Sequence, residues 1–179
     1  MGDEGSSALV VEVPEAEAVV SEHRAGLDAS ASLGVPAHVT VLYPFVAVTR
    51  LDDDLLATLR GLFARCASFD YRFSATAWFD EAVLFLAPDD PAPFSALIDV
   101  AATAFPEHPP YGGEFDEVVP HLTIGDRADL ARLRAAEAAV RPRLPVTGVA
   151  TAVTLLHQEA AGRRWERHTR FALADGQTT

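Results

Sequence analysis

Lysine and asparagine are missing altogether from this 179-residue chain, and cysteine and methionine occur once each. Without lysine there is no Schiff-base enzyme, no Walker phosphate loop and no ligase working through a lysyl-adenylate, since each needs a primary amine at its centre. Without asparagine, papain-like hydrolases lose the residue that usually orients their histidine. The single Cys66 excludes an intramolecular disulfide and a cysteine-rich zinc site. In the stretch GLFARCASF it reads as a buried structural thiol. Positive charge is scarce too: 14 basic residues, all arginine, face 26 acidic ones, for a formal net charge of −12. That balance argues against broad adhesion to duplex DNA or an anionic membrane, which feeds on clustered positive charge. A small or single-stranded phosphorylated substrate is compatible with it. No apolar run approaches the roughly 20 residues of a membrane helix. The opening MGDEGSS is acidic and polar, so neither export nor insertion is signalled, and the expected location is the cytoplasm.

What is present fits one domain, 49% hydrophobic by composition. SALVVEV reads as a strand, and Pro14 opens a helix whose first turn is acidic. AHVTVLYPF is strand-like and is closed by Pro44. Leu51, Leu55, Leu56, Leu59, Leu62 and Phe63 then recur at helical spacing, a core stripe. FDYRFSATAWF and AVLFLAP form a hairpin, and residues 90–105 return to a helix. PEHPPYGGEFDEVVP carries too much proline and glycine for regular structure. HLTI is a strand, 128–143 a helix, and VTGVATAVTLLHQ with RRWERHTRFAL a closing antiparallel pair. The tail from about residue 174 is expected to be disordered. The order is β-α-β-α-β-β-α-β-α-β-β, an α+β chain in which a duplicated unit with a pseudo-twofold axis would bring equivalent strands together.

Two short strands carry the same pattern: HVTV at His38–Val41 and HLTI at His121–Ile124. Alternation puts His38 and Thr40 on one face and Val39 and Val41 on the other, and it divides His121, Leu122, Thr123 and Ile124 in the same way. Average composition gives any one histidine roughly a 3% chance of such surroundings, yet two of the six have them. Two imidazoles titrating near neutrality can supply a base and an acid, and two hydroxyls can hold phosphate oxygens, a set suited to phosphodiester cleavage without metal or nucleotide cofactor. His23 and His108 fall in helix-end and loop settings and read as solvated. His157 and His168 lie on the closing strands, with a minor claim to line a site.

The paired motif resembles that of the 2H phosphoesterase superfamily, which includes 2′-5′ RNA ligase-like proteins and cyclic nucleotide phosphodiesterases. Both copies match H-x-[T/S]-x with apolar x at every place, and the similarity runs from the first strand to about Leu173. The resemblance implies a single domain with a bilobal α+β fold, a central cleft and antiparallel-rich sheets flanked by helices. It implies metal-independent action on 2′,3′-cyclic or 2′,5′-linked phosphodiesters of nucleotides or RNA ends. His38 and His121 become the acid–base pair, Thr40 and Thr123 the phosphate ligands. Tyr43, Phe45 and Tyr111 are candidates to stack on a base, with hydrophobic packing the competing reading. The implied partner is a small nucleotide or single-stranded RNA end, with no metal, cofactor, membrane or duplex DNA, and the protein is expected to be a monomer active in RNA processing.

Other readings compete. A non-catalytic module for phosphorylated or cyclic nucleotides would keep the fold without turnover, although intact residues in both motifs speak against it. A metal hydrolase would use the same histidines with a carboxylate, but no H-E-x-x-H spacing supports it. Arg163, Arg164, Arg167 and Arg170 around Trp165 read either as a cationic rim to the cleft or as solvated charge that discourages edge pairing.

Overall fold

A computed structural model describes residues 4–176. In chain order the elements are β1 (Ser6–Glu12), α1 (Glu17–Leu27), α2 (Ala29–Ser32), β2 (His38–Leu42), α3 (Asp53–Phe63), β3 (Phe69–Phe79) and β4 (Val83–Pro88). Then follow α4 (Ala92–Ala104), β5 (Leu122–Asp126), α5 (Leu130–Val140), β6 (Val146–Ala150), β7 (Ala152–Gln158) and β8 (Glu166–Ala172). Local chemistry sets the helix starts. Asp28, Asp52 and Asp129 cap α2, α3 and α5 by accepting from the backbone N–H groups of Ser30, Leu55 and Arg132, each cap worth about 1 kcal/mol. Pro14 begins a short 3-10 turn that leads into α1.

Two antiparallel four-stranded sheets result, ordered β2-β1-β7-β8 and β5-β4-β3-β6. The expected duplication is visible in this order. Each sheet has a histidine strand at its edge, paired with a strand that reaches it through a helix: β1-α1-β2 in one lobe, β4-α4-β5 in the other. The helices cross over, α1 packing on β5 and α4 on β2, so each lobe covers the other's edge strand. The two edge strands approach one another at the centre. One continuous core, with Phe63, Phe73, Phe94 and Phe171 fully buried, spans both sheets. Close packing at the crossing demands Gly125: a Cβ there would stand 2.4 Å from Leu133 Cδ2 and 3.0 Å from Leu27 Cβ.

Three expectations need correction. The run from Val146 to Gln158 is two strands, not one: β6 pairs with β3 in one sheet, and after Thr151 the chain crosses to pair β7 with β1 and β8 in the other. The sheets therefore hold eight strands where the sequence pattern gave seven. The chain stays packed through Gly176: Ala174 forms a parallel bridge with Ala67, the Ser68 N–H donates to the Ala174 carbonyl at 2.7 Å, and the Gly176 N–H donates to Ser68 Oγ at 2.9 Å. Of the predicted disordered tail, residues 177–179 lie outside the described residues. The helix that carries the stripe from Leu51 to Phe63 begins only at Asp53, so Leu51 lies before it. Among the described residues no helix is long and apolar enough to cross a membrane.

Candidate active site

The alternation read from the two motifs holds in space. Val39, Val41, Leu122 and Ile124 are buried, while His38, Thr40, His121 and Thr123 are half-buried on the opposite faces. Both imidazoles are held identically. His38 Nδ1 lies 2.7 Å from the Pro36 carbonyl and His121 Nδ1 lies 2.7 Å from the Val119 carbonyl, each two residues back along the chain. A carbonyl only accepts, so Nδ1 carries the hydrogen in both rings, and each Nε2 is left as the working atom. When the ring is neutral that atom is a base; when charged it is an acid. Neither Nε2 has a hydrogen-bond partner among the described residues.

Electrostatics separates the two rings. Burial lowers the His38 pKa to about 4, opposed by the Pro36 carbonyl and assisted by the Arg24 cation and by His121. The two rings stand on or beside edge strands, β2 and β5, that approach one another at the centre. Burial also holds His121 below its ordinary value, opposed by the Val119 carbonyl and by Asp126. Arg24 is itself buried, 2% exposed, bonded to Asp28 at 2.9 Å and to the Val35 carbonyl at 3.3 Å. Nothing in the α1 sequence distinguished this arginine from a solvated one.

The neighbouring aromatics divide. Tyr111 comes beside the first motif: its N–H donates to the Tyr43 carbonyl at 2.6 Å, and burial pushes its phenol pKa up, opposed by the Thr40 hydroxyl. Its backbone sits in the left-handed region at φ 52°, a strain of about 1–3 kcal/mol that these contacts hold in place. Tyr43 is 40% exposed and meets Trp165 edge-to-face, ring centroids 6.1 Å apart. Phe45 corrects the expectation of a stacking role: it is 5% exposed and packs against Phe105 and His108 in the core. His108 is thereby packed rather than solvated. His157 and His168 pair with each other, centroids 5.2 Å apart, and neither lines the cavity beside the first motif. In the arginine run, Arg167 makes a two-point ion pair with Glu12, and Trp165 forms a wall of that cavity. The cavity, about 350 Å³, also reaches Gln158 on β7 and Ser30 on α2, residues with no motif to mark them in the sequence. Among the described residues no group of three or more His, Cys, Asp or Glu side chains is arranged to hold a metal ion.

Comparison with known proteins follows the same lines. A family model described as 2′-5′ RNA ligase superfamily matches residues 12–162. Escherichia coli LigT complexed with NADP+ superposes with a TM-score of 0.63 at 19% identity, covering 97% of this chain and 99% of that one. LigT complexed with 3′-AMP gives 0.59 at 18% identity, covering 96% and 99%. TT0787 of Thermus thermophilus gives 0.62 at 19% identity, covering 96% and 100%. At these identities the structural likeness speaks for the fold. No significant match to a curated protein sequence is found.

Proposed function

The chain belongs to the 2′-5′ RNA ligase superfamily, and from that premise we propose that it is a metal-independent phosphodiesterase acting on 2′,3′-cyclic or 2′,5′-linked phosphodiesters of nucleotides or RNA ends. The observation that carries this reading is the matched pair of imidazoles, each locked through Nδ1 to a carbonyl two residues back. One Nε2 takes a proton from water or a ribose hydroxyl while the other gives one to the leaving oxygen. Thr40 and Thr123 donate to the non-bridging oxygens, where charge gathers as the displacement proceeds. Reversal of the reaction exchanges the roles of the two histidines. Tyr111, held by the Tyr43 carbonyl, and Tyr43 flank the substrate.

The nucleotides in the LigT complexes, NADP+ and 3′-AMP, support a nucleotide substrate here as well. The net charge of −12 favours a small molecule or a short single-stranded end over long RNA. As part of the same proposal, the protein works in the cytoplasm as a monomer and needs no cofactor. A panel of 2′,3′-cyclic nucleotides and 2′,5′-linked oligonucleotides, with products separated by chromatography, tests it. His38→Ala and His121→Ala should each lower turnover about 100-fold or more, the usual scale for one general acid or base, with the circular dichroism spectrum unchanged. Wild-type turnover in either variant refutes the assignment.

A further inference from the structure

The two lobes present equivalent motifs but unequal surroundings, and the difference is a cavity. Val10 stands opposite Thr40 in the β1–β2 register, and Phe85 stands opposite Thr123 in the β4–β5 register. Around Thr123 the space is filled: Phe85 packs on Phe79 at 4.3 Å between centroids, and both rings abut His121 at 5.4 and 5.0 Å. Around Thr40 small side chains leave room. Ala8, Val10, Ala29, Ala161 and Gly162 border the cavity, and Trp165 and Tyr43 wall it with aromatic rings. At about 350 Å³ it lies at the small end of ligand pockets, with space for one nucleoside.

One buried polar group faces into this apolar space. Gln158 is 7% exposed and borders the cavity. Its amide nitrogen donates to the Arg163 carbonyl at 2.5 Å, which fixes the orientation of the side chain, because a carbonyl only accepts. Its own carbonyl oxygen has no partner among the described residues. Ser30, also on the wall, spends its hydroxyl hydrogen on Asp28 at 2.8 Å and has only lone pairs left to offer. A flat aromatic ligand with a hydrogen-bond donor at its edge answers both features, and the cavity opens directly onto His38 and Thr40.

We propose that this cavity is a nucleobase subsite, selective for a base carrying an exocyclic amine, so that the nucleoside of the substrate lies on the His38 side and the side of phosphorus away from it faces His121. The inference rests on the phosphoesterase reading for its substrate class and adds the orientation and the base preference. A keto group at the same edge would set acceptor against acceptor and leave the Gln158 carbonyl buried without a partner. The rest of the selectivity comes from shape.

Calorimetric titration of inorganic phosphate, 3′-AMP and 3′-IMP tests the subsite without turnover. The wild-type protein should bind 3′-AMP at least tenfold more tightly than phosphate and about fivefold more tightly than 3′-IMP. Val10→Phe, which places in this lobe the ring that Phe85 provides in the other, should bring 3′-AMP affinity down to that of phosphate. Ala161→Phe plugs the cavity from an exposed loop, does not disturb the core, and should do the same. Equal affinities for 3′-AMP and 3′-IMP, or an Ala161→Phe variant that keeps the full 3′-AMP affinity, overturn the proposal. Absence of turnover with the 3′-AMP preference intact counts against the catalytic reading and supports the subsite.

Discussion

If the two imidazoles share one catalytic proton, their burial dictates where activity peaks on the pH scale. At pH 7 a ring that protonates at about 4 is charged only about one time in a thousand. His121 is also displaced downward, so the free protein at neutrality holds mostly two neutral rings, and the singly protonated pair is a minor species. Lowering the pH raises that species by up to about tenfold per unit until the upper titration of the pair is passed, and further acid charges both rings and removes the base. The expected kcat/KM profile on a 2′,3′-cyclic nucleotide is therefore a bell whose maximum lies below pH 6.5 and whose acid limb falls near 4. The kcat profile, which reports the complex, should sit at higher pH, because a bound phosphodiester anion favours imidazolium. The measurement is initial rates at constant ionic strength from about pH 3.5 to 9, alongside an NMR titration of the two imidazole Cε1 protons. A kcat/KM maximum at or above pH 7, or a His38 ring titrating at its ordinary value, refutes the reasoning.

Exhaustive dialysis against EDTA should leave the initial rate unchanged, because proton transfer between imidazoles and oxygens calls on no metal; loss of activity with rescue by zinc or manganese would move the assignment to a metal hydrolase. Gly125→Ala should lower stability by roughly 1–3 kcal/mol in a urea titration, since the added methyl overlaps Leu133 and Leu27 where α1 and α5 lie on β5. An unchanged midpoint would show that the helices yield.

The polar faces of the two motif strands were legible in the sequence because strand alternation is local: an apolar residue on either side of Thr40 and Thr123 is enough to say which face carries the hydroxyl. Duplication was legible because the same four-residue pattern recurs. The break at Thr151 was not, because VTGVATAVTLLHQ contains no proline or paired turn residues at the crossing. What parts β6 from β7 is the choice of partner strand, Phe69–Phe73 in one case and Ser6–Val10 in the other, and that choice is made far along the chain. Phe45 misled by proximity. Five residues beyond Thr40, it turns into the core beside Phe105, whereas Tyr43 remains at the surface. Trp165 was visible as an aromatic among arginines, but Gln158 comes to the cavity from β7 and Ser30 and Leu33 from α2 and its C-terminal end, and they carry no shared signal. Arg24 lay hidden for a similar reason: its burial depends on the Val35 carbonyl and Asp28 closing around it.

A displacement at phosphorus places the entering and leaving oxygens roughly in line, so a single imidazole on one side cannot serve both. Two edge strands meeting across a pseudo-twofold axis answer that requirement with one local structure used twice, the i−2 carbonyl fixing the same tautomer in each ring. A symmetric site alone would accept a phosphodiester in either orientation and would not distinguish the oxygen that must leave from the one that must enter. The lobes differ where that distinction has to be made. Burial disfavours charge on both rings, most strongly on His38, where Arg24 and Asp28 act in opposite senses, while Asp126 favours the charged form of His121, which biases the shared proton toward His121. Phe79 and Phe85 close the second lobe, while Trp165 and Tyr43 frame an open cavity in the first. On the proposed reading, proton transfer therefore follows from what the duplicated halves kept in common, and substrate orientation from the few positions, Val10 against Phe85 above all, where they diverged.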